Sequence, residues 1–315
     1  MCFMPLIAWV NRLLEAMNQE KPKEVEVTKS LRLILPAIII LGACSSESAG
    51  PDAVVKDVFK SLDEGHAEVI WDALPSSYQT DINDVVALFA ENMDEELYNK
   101  GFSVVNKLVG VLEAKKTFIL GHPMIMGMTE GKVEDETYDA IVKTLSTYTT
   151  SELSTLQGVK NLDIRSFLQK TGSSAVTDMQ KLTKLGDEAP PVERFQDIQV
   201  ELVNESGDMA TIKLTAGEEE SQDVELTKVE GKWVPKDMAD NWSQGIADAK
   251  AKMNELPDEI TPDTKTQAMM GMDMALSALG QLEAAASQEE FNTALGSIMG
   301  MAMGGMGGPP PGMEE

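Results

Sequence analysis

Few side chains in this chain have the types and spacing to do chemistry. The sulfur of Cys44 closes an apolar run, LRLILPAIIILGAC over residues 31–44, and the chain turns polar at once. Small residues followed by a polar stretch mark a signal-peptide cleavage site, here between Ala43 and Cys44. His66 stands beside Gly65 between two helical patterns, where an exposed or capping role is expected. His122 lies in the apolar loop 118–124 and is expected to be buried and hydrogen-bonded. Acid–base work needs a partner within hydrogen-bond reach, and neither histidine has one identifiable in the sequence. Zinc needs three or four ligands, which two separated histidines without a thiol cannot supply alone. Ser76-Ser77 lacks the Gly-x-Ser-x-Gly elbow, and no Gly-rich phosphate loop follows a strand. Glu218–Glu220 lacks the alternating pattern of a calcium loop.

The apolar run from 33 to 43 is about a dozen residues, against roughly 20 for a membrane-spanning helix. Lys29 and Arg32 precede it, and Pro36 interrupts it. Positive charge, a short apolar region and small residues before a cysteine resemble the processing signal of bacterial lipoproteins. The resemblance implies diacylglycerol on the Cys44 sulfur, cleavage just before it, and a mature chain outside the cytoplasm. One acyl chain anchors only marginally; the family's further N-acyl group makes the attachment stable. Ser45, in place of the Asp that retains such proteins at the inner membrane, points to the outer membrane if the bacterium has two. Residues 1–43 are then a leader. Its acidic residues Glu15, Glu20, Glu24 and Glu26 fit either a start at Met17 or a long leader.

Cys2 and Cys44 are the two cysteines, so the expected mature domain has no free thiol and no disulfide. The whole chain carries a formal charge of −26; removing five basic and four acidic leader residues leaves 21 against 48, or −27. Such a surface repels nucleic-acid phosphates and anionic headgroups. The expectation is a dispersed, self-repelling exported protein with no nucleic-acid partner and no cofactor.

The elements that must position these residues follow from periodicity. Residues 51–64, 66–74 and a long stretch to 185 read as successive helices, interrupted at Gly121-His122-Pro123. Asp187–Pro191 is an internal boundary, because paired prolines stop a helix. The period then becomes two: Ile198, Val200 and Leu202; Ala210, Ile212 and Leu214; Val224 and Leu226; then Trp233 after Glu230-Gly231. This predicts a three- or four-stranded antiparallel meander with one buried face. A helix over 241–256, a linker over 257–262, a Met-rich helical segment to 303 and a disordered Gly/Pro tail over 304–315 complete the chain. The fold class is α+β: a meander packed against a mainly helical layer, with a C-terminal Met-rich helix. Residues 44–52 are a polar tether and 53–256 the α+β domain. Within that domain, 53–186 is the helical part and 192–236 the meander. Trp71 and Trp233 are expected core anchors.

The opening pair, Ala53–Leu62 with Ile70–Leu74, and the closing Glu230-Gly231-Lys232-Trp233 together resemble the cone-shaped nuclear-transport-factor-two-like fold of some bacterial lipoproteins. Roughly 110 mostly helical residues stand where that family has a shorter connection. Some enzymes of the cone fold abstract protons with an Asp and a Tyr donor, and the resemblance makes Asp72, Tyr78 and Asp81, with His122, candidates. Met269, Met270, Met272, Met274, Met299, Met301, Met303 and Met306 suit soft Cu(I). They equally suit packing or an adaptable partner surface over 263–303, because they share a helical stripe with Leu276, Leu279, Leu282 and Phe291. The leading expectation is a lipid-anchored envelope lipoprotein that binds or scaffolds; the alternatives are an enzyme with a cone-shaped pocket and copper binding.

Overall fold

A computed structural model describes residues 50–128, 135–185, 195, 198–216 and 221–304. Cys44, the tether up to residue 49, the Asp187–Pro191 boundary and residues 305–315 lie outside the described residues. The chain is an α+β protein in which a four-stranded antiparallel sheet packs against a predominantly helical layer.

Helix α1 (Pro51–Asp63) starts on Pro51 and buries Val54, Val55, Val58, Phe59 and Leu62 along one face. Gly65, at φ 88, ends it. Its N–H donates to Leu62 O and that of His66 to Ser61 O, the paired bonds of a Schellman cap. Next come α2 (Glu68–Ala73), α3 (Ser76–Asn92) and α4 (Glu95–Ala114). Asp94 caps α4 by accepting from Leu97 N at 2.9 Å. Short helices α5 (Lys116–Leu120) and α6 (Pro123–Met128) flank the expected break at 121–123. Helix α7 (Asp135–Thr149), α8 (Leu156–Lys160) and α9 (Ile164–Phe167) lead through a π-turn at Leu168–Gly172 into α10 (Ser173–Leu185).

Strands β1 (Ile198–Ser206), β2 (Met209–Ala216), β3 (Gln222–Val229) and β4 (Lys232–Pro235) pair in chain order, all antiparallel. A bulge lies between Leu202 and Asn204. Ala210, Ile212, Leu214 and Leu226 turn one face onto α1, where Phe59, Leu62 and Trp233 complete the core. Trp71 belongs to a second core, between α3 and α11, and it too is buried.

Helix α11 (Lys236–Glu259) begins directly after β4 and runs through Pro257. The expected linker from 257 is therefore helical to Glu259. Pro257 has no N–H to give the Met253 carbonyl, but Asn92 Nδ2 donates to that oxygen at 3.1 Å. The Met-rich segment is two helices, α12 (Pro262–Ala284) and α13 (Gln288–Gly304). Between them Ser287 Oγ accepts from Glu290 N and the Glu290 carboxylate from Ala286 N, which opens α13.

The long helices pair in register. Asp81, Asp84 and Asn92 of α3 meet Trp242, Lys250 and Met253 of α11. Asp94 and Lys100 meet Lys265 and Asp273, Lys107 meets Glu283, and Lys115 Nζ donates to Ala285 O. Residue numbers rise together in both series, so α11 runs parallel to α3 and α12 parallel to α4. No helix among the described residues is long and apolar enough to cross a membrane.

Candidate functional site

The corner between α2 and α3 is where the two sequence-distant motifs meet. The β3–β4 turn is a tight reversal with Glu230 at φ 52 and Gly231 at φ 77, the left-handed pair that hairpins favour. It points its polar side chains at two helix ends. Glu230 Oε2 accepts from Ser77 N at 3.3 Å, in the first turn of α3. Lys232 Nζ donates to Asp72 O at 3.1 Å, in the last turn of α2. A carboxylate at a helix N-terminus and an ammonium at a C-terminus both complement the helix dipole.

Of the three candidates on this corner, the structure brings two together and turns the third away. Tyr78 is buried and stacks flat on Trp242, with centroids 3.8 Å apart and planes 6° from parallel. Trp242 Nε1 donates to Asp81 Oδ2 at 2.9 Å, and Lys250 lies 3.6 Å from Asp81. Burial, followed by the charges of Glu230, Asp81 and Asp240, raises the Tyr78 pKa, so the phenol stays protonated. Asp72 faces outward into a two-pronged pair with Arg165, whose Nε and Nη2 donate at 2.6 and 2.5 Å. A base held in such a fork has both oxygens engaged.

The histidines are scattered. His66 is exposed, with Nδ1 3.4 Å from Glu68 Oε1. His122 is half-buried rather than buried: its loop opens to solvent, and Nδ1 accepts from Met124 N at 3.2 Å, capping α6. The described residues contain no group of three or more His, Cys, Asp or Glu side chains placed to hold a metal. Of the methionines, Met272 is buried against α4 and Met269 half-buried, while Met270 and Met274 face outward. Met299, Met301 and Met303 belong to α13; Met306, like Ala43 and Cys44, is outside the described residues.

Two depressions on the described surface lie away from this corner. One, of about 310 Å³, is lined by Glu113, Lys116, Tyr138, Asp139, Val142, Lys143 and Ser146. Lys116 lies 2.8 Å from Asp139 and 5.9 Å from the Tyr138 ring centroid. The other, of about 550 Å³, is lined by Thr147, Thr150, Ser151, Glu152, Lys170, Thr171 and Ser174. Nothing in the sequence spacing marks either, nor the Asp72–Arg165 fork, whose members are 93 residues apart.

No protein-family model matches the chain, and no curated protein or solved structure compared with it is similar.

Proposed function

We propose that the chain is a lipid-anchored cell-envelope lipoprotein, attached through Cys44, whose folded part binds or scaffolds rather than catalyses. The observation that carries the anchor is the short apolar run ending in Leu41-Gly42-Ala43-Cys44 after Lys29 and Arg32. What supports the non-enzymatic role is how the candidate groups are spent. Asp72 is forked by Arg165, Tyr78 is stacked under Trp242, and Asp81 takes the Trp242 proton donor. The reading includes a cone-like core with a helical insertion, supported by α1 lying across the meander. It also assigns the C-terminal arm, α12 and α13, as the surface that meets a partner, with the outer membrane as its site in a double-membrane cell.

Mass spectrometry of the membrane-extracted protein tests the anchor. The expected N-terminal peptide starts at an acylated Cys44. An unmodified chain beginning at Met1 or Met17 and recovered from cytosol sinks the proposal.

A further inference from the structure

The larger of the two depressions, about 550 Å³, lies between two walls of polar residues. One wall is the C-terminal end of α7 with the turn Glu152–Ser154; the other is the π-turn Leu168–Gly172 with the first turn of α10. Each wall is anchored. Tyr98 OH donates to Leu153 O at 2.7 Å in the first. In the second, Ala67 N donates to Ser173 Oγ at 3.1 Å, and a β-carbon added at Gly172 would come 3.1 Å from that of Ala67. A π-turn gives up regular helix geometry, and such turns often mark functional sites.

Thr171, within that π-turn, is only 6% exposed and lines the depression. Its hydroxyl has no hydrogen-bond partner among the described residues, so a buried donor is left for whatever enters. Four other hydroxyls on the walls have already given their protons away. Thr147 Oγ1 donates to Lys143 O, Thr150 Oγ1 to Ser146 O, Ser151 Oγ to Tyr148 O and Ser174 Oγ to Lys170 O, all at 2.7–3.1 Å. A hydroxyl so engaged offers only lone pairs to a ligand. Glu152 and Lys170 line the same space, and neither has an ion-pair partner among the described residues. The site therefore offers one anion and several lone pairs, with one ammonium and one free O–H.

That donor and acceptor set selects among ligand classes. A phosphate finds two donors and meets the Glu152 charge. A divalent cation finds one carboxylate and is repelled by Lys170. A sugar ring needs an apolar or aromatic wall for its C–H faces, and the described lining has neither. A quaternary ammonium needs aromatic faces for the same reason. A primary ammonium, with three N–H donors, matches the hydroxyl lone pairs and Glu152. A carboxylate on the same molecule matches Lys170 and the Thr171 O–H. With both charges answered, the all-polar lining suits an uncharged polar side chain.

We propose that this depression binds a free α-amino acid with an uncharged polar side chain. The proposal rests on the binding role assigned to the folded part and gives that role its ligand class. Titration calorimetry of the detergent-extracted full chain tests it, with L-serine, L-threonine, L-asparagine and L-glutamine as probes up to about 10 mM. At least one should bind. For that amino acid, Lys170→Met, Glu152→Gln and the isosteric Thr171→Val should each raise the dissociation constant about tenfold or more. Their thermal melts should match the wild type, because none of the three side chains holds another part of the fold. L-Serinamide, N-acetyl-L-serine and glycerol, which each lack one charge or both, should bind about tenfold more weakly or not at all. Silence with all four amino acids overturns the proposal. So does a dissociation constant unmoved by Lys170→Met and Glu152→Gln, or glycerol or serinamide binding as tightly as the amino acid. Recovery of the bound amino acid chemically unchanged is expected. Its conversion would overturn the non-enzymatic reading and leave the site standing, while the mass of the Cys44 peptide reports on the anchor separately.

Discussion

Glu230 holds a left-handed backbone, φ 52, that a glycine would hold without strain. Its carboxylate offers a reason: it accepts from Ser77 N at the start of α3, and the Ser77 bonds depress its pKa below the usual 4.5. Glu230→Gly relieves the strain and loses the acceptor, while Glu230→Ala keeps the strain and loses the acceptor. Thermal denaturation should therefore place Glu230→Ala lowest of the three chains by a few degrees. A depressed carboxylate stabilises the fold above its unfolded pKa, and that contribution is lost as pH falls through the folded value. The gap between wild type and Glu230→Ala should thus close in acid. Equal melting at neutral pH would mean that the Ser77 contact contributes nothing. The turn itself is legible in the sequence, because Glu-Gly between apolar alternations specifies a tight hairpin. Its target is not: Ser77 and Glu230 are 153 residues apart. The same distance problem hid Arg165 from Asp72, so the corner's residue types were readable but their occupation was not.

At the level of elements, the meander was readable because a period of two with one buried face has few rivals, and Ile212 and Leu226 end fully buried. The helix boundaries near 257 were not, because a proline's effect depends on what replaces its missing donor. Here Asn92, on the neighbouring α3, supplies it to the Met253 carbonyl. Ser287-x-x-Glu290, by contrast, is a capping box visible in the sequence, and it divides the Met-rich stretch that composition alone merges into one. The Asn92 contact makes a quantitative prediction. Asn92→Ala leaves a helix carbonyl without its partner and should cost about 1–2 kcal/mol in urea unfolding. In a Pro257→Ala background the restored N–H can reach Met253 O, so the same Asn92→Ala change should cost less. A double-mutant cycle reads the difference directly. If the two costs are equal, Asn92 acts through something other than the carbonyl that proline frees.

Across the whole molecule, the tyrosines mark seams between elements. Tyr78 stacks between α3 and α11; Tyr98 OH donates to Leu153 O at 2.7 Å, tying α4 to the turn before α8. Tyr138 OH donates to Leu112 O at 2.8 Å, tying α7 to α4. Burial is the leading cause that raises all four tyrosine pKa values, and it carries Tyr98 and Tyr138 to about 12. In the unfolded chain these phenols ionise near the ordinary 10. Above that pH the unfolded state binds fewer protons than the folded state, so stability falls as pH rises. Their contribution is complete below pH 10 and is lost as pH climbs toward the folded values. Tyrosinate absorbance should therefore stay low in the folded protein at pH 10 and reach about half of full ionisation in denaturant at the same pH. Tyr98→Phe and Tyr138→Phe should each flatten the alkaline fall in stability while lowering stability at neutral pH by about 1 kcal/mol for the lost hydrogen bond. Two or more tyrosines titrating near 10 in the folded chain would mean that these seams admit water, and that the helical layer is looser than its packing implies.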